Sequence, residues 1–339
     1  MIVPATPESL ALTPGVGSPM RRRLLQAAAL AACLPLAACD AAPEMSGTFL
    51  QLWREHLDWR PEQWRARIAA TRALGCREVF VQWIALAGDP ASQWRASNAL
   101  LTQLLDDCAA QGMGVHFGVP YDDRWWKVLG STEAGALDTY LNDASAAVAA
   151  TLNRSPWPRH AAFRGWYLPY EVEQYSWSDP ARRDTLANWL DGLSRLVHDS
   201  SGQPPTISTF YSHIPGPGAL PDLWRVLLER TRVHPMIQDG VGEWGMENYE
   251  ALTPLRELFI ARDTKFDLIL ELFQSAPNGK QDGTDFKAHA ASFSRVSKQW
   301  DIARDYGAQR VVAFAVDPWV LGDTPEARAL LRRWQAAQR

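Results

Sequence analysis

Past Ser46 the sequence repeats one pattern eight times: a short apolar run rich in Val, Ile, Phe and Trp, then a longer segment with apolar residues at helical spacing. The runs predict strands over Thr48–Trp53, Glu78–Ile84, Val115–Tyr121, Phe163–Pro169, Thr206–Ser212, Val233–Asp239, Phe266–Phe273 and Arg310–Trp319. The segments between them predict helices over Pro61–Leu74, Asn98–Gln111, Glu133–Leu152, Pro180–Val197, Pro221–Arg230, Tyr249–Ala261, Phe286–Tyr306 and Pro325–Gln335. The first helix has Pro61 at its opening position and Gly75 just beyond its end, the expected start and stop chemistry. Strands that alternate with helices pair in parallel through right-handed crossovers. Near-continuous apolar strands are covered on both faces. Eight such units in about 290 residues fit an α/β fold of the closed (β/α)8 kind, a TIM barrel, better than an open doubly wound sheet. No Gly-x-Gly-x-x-Gly turn follows the first strand, which weighs against a nucleotide-binding sheet. No linker divides the region, so residues 47–339 read as one barrel domain.

Residues 1–46 read as an address. Arg21-Arg22-Arg23 precede a stretch from Leu24 to Leu36 whose one polar residue is Gln26, and Ala37-Ala38-Cys39-Asp40 follow. A basic cluster, a short apolar run and small residues at a cleavage point describe a secretory signal, and the apolar run is short for a membrane span. Leu36-Ala37-Ala38-Cys39 resembles a bacterial lipobox. That resemblance implies lipid on Cys39, with Asp40 as a signal for retention at the inner membrane. The alternative is a plain signal peptide cut near Ala42. Arg21-Arg22 with Leu24-Leu25 also resembles a twin-arginine signal, which leaves the export route open. Residues 1–19 read as an over-extended gene start or a disordered leader, and residues 41–46 as a short tether. Export would carry Cys76 and Cys108 into an oxidising compartment; both fall towards the foot of the barrel, where a disulfide is geometrically possible and two buried thiols are the expectation.

In a barrel of this kind chemistry sits at the carboxyl ends of the strands, so polar residues there are informative. Gln51 and Gln82 come late in the first two strands, Tyr211 and His213 close the fifth, and Gln238 and Asp239 close the sixth. Glu271 is the sharpest signal. Apolar residues flank it on both sides, so it either faces the barrel mouth or is buried, where an unpaired charge costs several kcal/mol. The alternative is a structural ion pair with an Arg. Glu171 follows the fourth strand and could be a solvated loop residue, with Glu173 as its rival for the same role. Strands four and seven face each other across the mouth, and two carboxyl groups there are what glycosidic cleavage needs: one protonates the departing oxygen, the other attacks or activates water. Proximity and burial raise the pKa of one of such a pair. In many retaining glycosidases on this barrel the acid/base follows strand four and the nucleophile lies on strand seven. The chain resembles that layout in position, with Tyr170-Glu171 where those enzymes carry Asn-Glu.

Sixteen Trp stand out in the composition. Trp53, Trp83, Trp125, Trp126, Trp177, Trp244 and Trp319 fall at or beyond strand ends, where indole faces would suit sugar rings or pack loops on the barrel. Trp64, Trp189, Trp224, Trp300 and Trp334 fall in helices and read as packing. A net charge of −4 argues against nucleic acid as a partner. Seven scattered His show no metal-ligand spacing. His213 and Asp239 on adjacent strands could share an ion, though a hydrogen-bonded His is the expectation. No Gly-x-Ser-x-Gly elbow is present, and no cofactor is implied.

Gly47-Thr48-Phe49-Leu50-Gln51-Leu52-Trp53, Trp59-x-x-Glu62-Gln63-Trp64, Val81-Gln82-Trp83, Gly165-Trp166-Tyr167-Leu168-Pro169, Gln238-Asp239-Gly240-Val241-Gly242 and Glu271-Leu272-Phe273 together resemble the bacterial domain-of-unknown-function family 4434. The resemblance spans nearly the whole chain past Ser46 and implies a glycoside-hydrolase-type barrel, often exported, linked to polysaccharide. The sequence thus leads to an exported, lipid-anchored glycoside hydrolase of the periplasm or cell exterior acting on a polysaccharide or oligosaccharide. Glu171 is the expected general acid/base and Glu271 the nucleophile. Gln51, Gln82, Tyr211, Gln238 and Asp239 are expected to hydrogen-bond sugar hydroxyls, and Trp53, Trp83, Trp244 and Trp319 to stack on the ligand. Two alternatives stay open: a non-catalytic glycan-binding lipoprotein serving polysaccharide export, and a metal-dependent hydrolase.

Overall fold

A computed structural model describes residues 42–88, 93–276 and 287–339. The leader and the candidate lipid site Cys39 lie outside these residues. Eight strands close a parallel barrel: β1 Gly47–Leu50, β2 Glu78–Val81, β3 Gly114–Gly118, β4 Phe163–Val172, β5 Thr206–Thr209, β6 His234–Gln238, β7 Asp267–Glu271 and β8 Arg310–Phe314. Each strand pairs with its sequence neighbours, and β8 pairs back to β1 through Gly47↔Val312 and Thr48↔Ala313. The intervening helices are α1 Pro61–Ala73, α2 Asn98–Ala110, α3 Ala136–Leu152, α4 Pro180–Ser201, α5 Leu220–Arg230, α6 Asn248–Ala261, α7 Phe293–Arg304 and α8 Pro325–Ala337. The chain therefore forms the expected (β/α)8 TIM barrel.

The two-residue period of a strand sorts the barrel interior into layers. Phe49, Phe80, Tyr167, Met236, Ile269 and Val312 pack together as an apolar middle layer. One step towards the amino ends lies a charged foot. Arg310 forks onto Asp267, with Nη2 2.6 Å from Oδ2, and its Nη1 donates to Glu78 Oε2 at 2.7 Å. His116 Nε2 donates to the same Glu78 oxygen at 2.8 Å, and its ring stacks on Phe80. One step towards the carboxyl ends, the same period sets Gln51, Gln82, Gln238 and Glu271 in a polar layer at the mouth.

Strand starts follow the sequence reading closely, while several strands end earlier. The eighth stops at Phe314, and Val316–Trp319 forms a helical turn instead of its expected continuation. The fourth runs on to Val172 and so contains Glu171. The helix expected from Phe286 begins at Phe293, where Ser292 Oγ accepts from the backbone N–H of Arg295 and fixes its start. The residues before it, Ala288–Ala290, pair antiparallel with Phe273–Ser275. Cys76 and Cys108 are buried free thiols, and burial pushes both up to about 12.

Candidate active site at the barrel mouth

Glu271 ends β7 between Leu270 and Leu272, both of which face outward into the helix layer and are fully buried. Its carboxylate points the other way. Gly240 adopts a left-handed backbone (φ +63°), which an L side chain rarely takes, and so starts the turn Val241–Trp244. That turn delivers the Gly242 N–H to Glu271 Oε2 at 2.8 Å. A Cβ at position 242 would stand 2.9 Å from the same oxygen and 2.7 Å from the Phe273 ring, so glycine is needed for the approach.

Glu171 reaches the mouth by a different device. Between Leu168↔Ile207 and Val172↔Thr209 the β4–β5 register slips, so that β4 advances four residues while β5 advances two. Pro169, Tyr170 and Glu171 form this bulge. Tyr170 turns outward, its hydroxyl donating to the Pro120 carbonyl at 3.0 Å, and the Trp125 indole N–H donates to the Glu171 carbonyl at 3.1 Å. The Glu171 side chain turns inward, where Gln238 Nε2 donates to Oε1 at 2.8 Å. The Ser208 hydroxyl, itself 2.7 Å from the Tyr167 hydroxyl, also bonds this carboxyl.

Neither carboxylate has a Lys, Arg or His within 4.0 Å among the described residues. The ion pair considered for Glu271 is absent: Arg295 Nη2 donates to the main-chain carbonyls of Glu271 and Phe273, at 2.7 Å each. Burial therefore raises the Glu171 carboxyl above its ordinary range, against the donors Gln238 and Ser208. Burial and then the neighbouring Asp239 charge push Glu271 well above its ordinary value, and the Gly242 N–H opposes them.

The same alternation separates Gln238 from Asp239. Gln238 faces the mouth. Asp239, expected on sugar hydroxyls, points away from it and has no exposed surface. Its Oδ1 accepts from the backbone N–H groups of Val241 and Glu271, and its Oδ2 from Gln299 Nε2 at 2.6 Å and Tyr249 Oη at 3.2 Å. It braces Glu271 from behind. His213 is hydrogen-bonded, as expected: its Nε2 donates to Asn248 Oδ1 at 2.8 Å, and Asn248 Nδ2 donates to the Asp239 carbonyl. Glu173 is buried, its oxygens taken by the N–H groups of Tyr175 and Ser176, which removes it as a rival to Glu171. Among the described residues no group of three or more His, Cys, Asp or Glu could hold a metal ion.

Gln82 is buried beside Gly118, and its enclosed Oε1 has no hydrogen-bond partner among the described residues. Gln51 and Tyr211 are half-buried, the latter edge-on to His213. The tryptophans divide. Trp53, Trp126 and Trp244 are each more than 40% exposed, and Trp244 stacks on His213. Trp83 lies under Trp53, stacks on Tyr121 and donates to the Leu52 carbonyl, so it supports the rim from below. Trp319 is half-buried against Phe273. Trp125 and Trp177, considered for the rim, are fully enclosed under the loops. Ser208, Tyr249, Gln299 and Arg295 escaped the sequence reading, and Gly242 entered it only within the motif Gln238-Asp239-Gly240-Val241-Gly242, without a role.

A family model described as a domain of unknown function, DUF4434, matches residues 45–329. A bacterial relative, the uncharacterized protein YbcH of Escherichia coli (strain K12), is 29% identical over 201 residues, which are 54% of this chain and 64% of that protein. The match thus spans less than two thirds of that relative's length. Among solved structures, a protein of Bacteroides thetaiotaomicron described as "a putative alpha-L-fucosidase" superposes with a TM-score of 0.66 at 15% identity, covering 88% of this chain and 94% of that one. A β-galactosidase of Halorubrum lacusprofundi superposes with a TM-score of 0.54 at 10% identity, covering 86% of this chain and 57% of that one. At these identities the likeness is one of fold, and the fold is a TIM barrel.

Proposed function

The chain belongs to the DUF4434 family, and on that premise we propose that it is a glycoside hydrolase of an oligosaccharide or polysaccharide, working through Glu171 and Glu271. The observation that carries this reading is the pair itself: a buried Glu271 and a half-buried Glu171, inward from β7 and β4, held by neutral donors and, among the described residues, with no cation within 4.0 Å. Glu271 attacks the anomeric carbon while Glu171 passes its proton to the departing oxygen. Glu171, now ionised, then takes a proton from water as that water displaces Glu271 from the sugar, which returns both carboxyls to their starting states. Gln238 orients Glu171, and Gly242 orients Glu271. Gln51, Gln82 and Tyr211 would hydrogen-bond sugar hydroxyls, and the exposed rings of Trp53 and Trp244 offer stacking faces. The enzyme would act after export, held to the membrane by lipid on Cys39.

The test is incubation of the purified protein with a panel of polysaccharides while new reducing ends are followed. Wild type should release them on at least one polymer, and Glu171→Gln or Glu271→Gln should lose turnover by a factor of about a thousand or more while retaining ligand. Turnover that survives either substitution refutes the mechanism. A wild type that retains a polymer and never cuts it is a glycan-binding protein instead.

A further inference from the structure

The two ends of the barrel carry opposite charge. In a parallel barrel every segment joining a helix to the next strand lies at the amino-end foot, and every segment joining a strand to its helix lies at the mouth. At the foot, Arg77, Arg154 and Arg159 lie in such segments, and Arg164 projects from the second position of β4. Across the foot stand Arg232 and Lys265. All six are exposed, and none has a carboxylate within 4.0 Å among the described residues. Arg339 adds another cation and Arg262 one already paired with Glu229, against the acids Glu44, Asp106, Asp199, Asp263, Asp301 and Asp305. At the mouth the balance reverses: Glu133, Asp179, Glu243, Glu247 and Asp323 are among its acids. The whole chain has a net charge of −4, so a basic foot is a segregation of charge and not a reflection of composition.

The chain enters the barrel on this same foot. Ser46 N donates to the Val311 carbonyl, and the Ser46 carbonyl accepts from Arg77 N, both at 2.8 Å, which pins the start of the barrel domain beside one of the six cations. Seven residue steps separate Ser46 from the candidate lipid site Cys39, at most ~25 Å of extended chain.

We infer that the amino-end foot of the barrel is a docking surface for an anionic phospholipid bilayer, on which the molecule sits with its mouth turned outward. The cations there are exposed and meet no carboxylate within 4.0 Å among the described residues, though Arg164 also donates to the Ala161 and Phe163 carbonyls, and a surface of one sign opposite a mouth of the other fixes orientation as well as attraction. Orientation is what a tether alone does not provide.

The experiment uses residues 39–339 carrying Cys39→Ser, so that neither the basic and apolar leader nor an acyl group contributes, and measures partition onto vesicles of phosphatidylcholine alone or with about a third phosphatidylglycerol, at low and high salt. The protein should partition onto the anionic vesicles at low salt, leave them at about 0.5 M salt, and ignore the neutral ones. Arg154→Glu with Arg159→Glu and Arg164→Glu should lower partition by about a hundredfold. The same three reversals at the mouth, Arg54→Glu, Arg60→Glu and Lys127→Glu, should lower it less than about fivefold. Should the foot triple fail to fold by its melting curve, Arg232→Gln with Lys265→Gln gives the same reading at about tenfold. Equal losses from foot and mouth sets, no loss from either foot set, or equal binding to neutral vesicles overturns the assignment. So does retention on dextran sulfate that depends on the foot while vesicle partition does not. None of these outcomes depends on whether the mouth hydrolyses anything.

Discussion

Replacing Glu78 with glutamine tests the foot network directly. Burial alone would raise this carboxyl, but the His116 bond and the Arg310 charge and bond outweigh it and hold Glu78 at about 2, against an ordinary 4.5. At about 1.4 kcal/mol per tenfold change in proton affinity, that difference is worth about 3 kcal/mol. Burial lowers His116, so near neutrality it donates as an uncharged imidazole and Arg310 supplies the full charge. The side chain is also 24% exposed. Both considerations reduce the expected contribution to about 2 kcal/mol. A carboxyl lowered by folding stabilises the protein above its unfolded pKa and loses that contribution as pH falls through the folded one. Urea midpoints for wild type and Glu78→Gln should therefore differ by about 2 kcal/mol at pH 7 and by less than half of that at about pH 3. Equal stability at pH 7, or a gap unchanged in acid, would refute the assignment of Glu78 as the anion of a charged foot.

The mouth carboxyls have the opposite sign. Glu171 and Glu271 are raised by burial, so each costs stability as pH rises through its ordinary range; Glu171→Gln and Glu271→Gln should melt about 1–3 °C higher than wild type near pH 8, with the gain gone near pH 4. Gly242→Ala should cost about a hundredfold in turnover on any polymer that wild type cuts, because its Cβ would stand 2.9 Å from Glu271 Oε2, and ligand retention should change far less. Asp239→Asn removes a charge that raises Glu271, so the acid limb of the pH–rate profile should move to lower pH; an unmoved limb would mean that Asp239 only holds the loop. Trp244→Ala and Trp53→Ala should each weaken polymer retention about tenfold at unchanged melting temperature, as measured by affinity electrophoresis.

Much of this molecule was legible because a barrel strand has a period of two and a fixed direction. Glu271 lies between two leucines, and that alone pointed it to the interior; Gln51, Gln82 and Gln238 fall on the same inward row. Strand ends were harder to place. The apolar runs at Trp53, Ile84 and Trp319 continue past the last ladder bond because the loops over the barrel are themselves packed. Asp239 misled because it is one residue out of phase with Gln238, and a single step turned a presumed ligand contact into a brace. Glu171 was singled out by its position after the fourth strand, with Glu173 as its rival, but the device that aims it was not legible: a two-residue bulge turns it inward, and the pairing slip against β5 leaves no local signature except Pro169. Composition counted the tryptophans without sorting them, since an indole at a strand end packs a loop as readily as it meets a sugar.

The barrel solves one problem in two ways, and the difference locates its chemistry. Asp267 at the foot and Glu271 at the mouth lie on the same strand, four residues apart, on the same inward row, and both are buried. The foot carboxyl meets a bidentate guanidinium, which is what stability alone would select. The mouth carboxyl meets one backbone N–H, with a second buried acid behind it and the nearest guanidinium turned onto its carbonyl. An Arg at any neighbouring inward position could have closed the mouth as Arg310 closes the foot. Leaving Glu171 and Glu271 to neutral donors raises both carboxyls at a cost in stability, and a protein that bears no such cost at its foot and bears it at its mouth is the arrangement expected of the proposed proton transfer there.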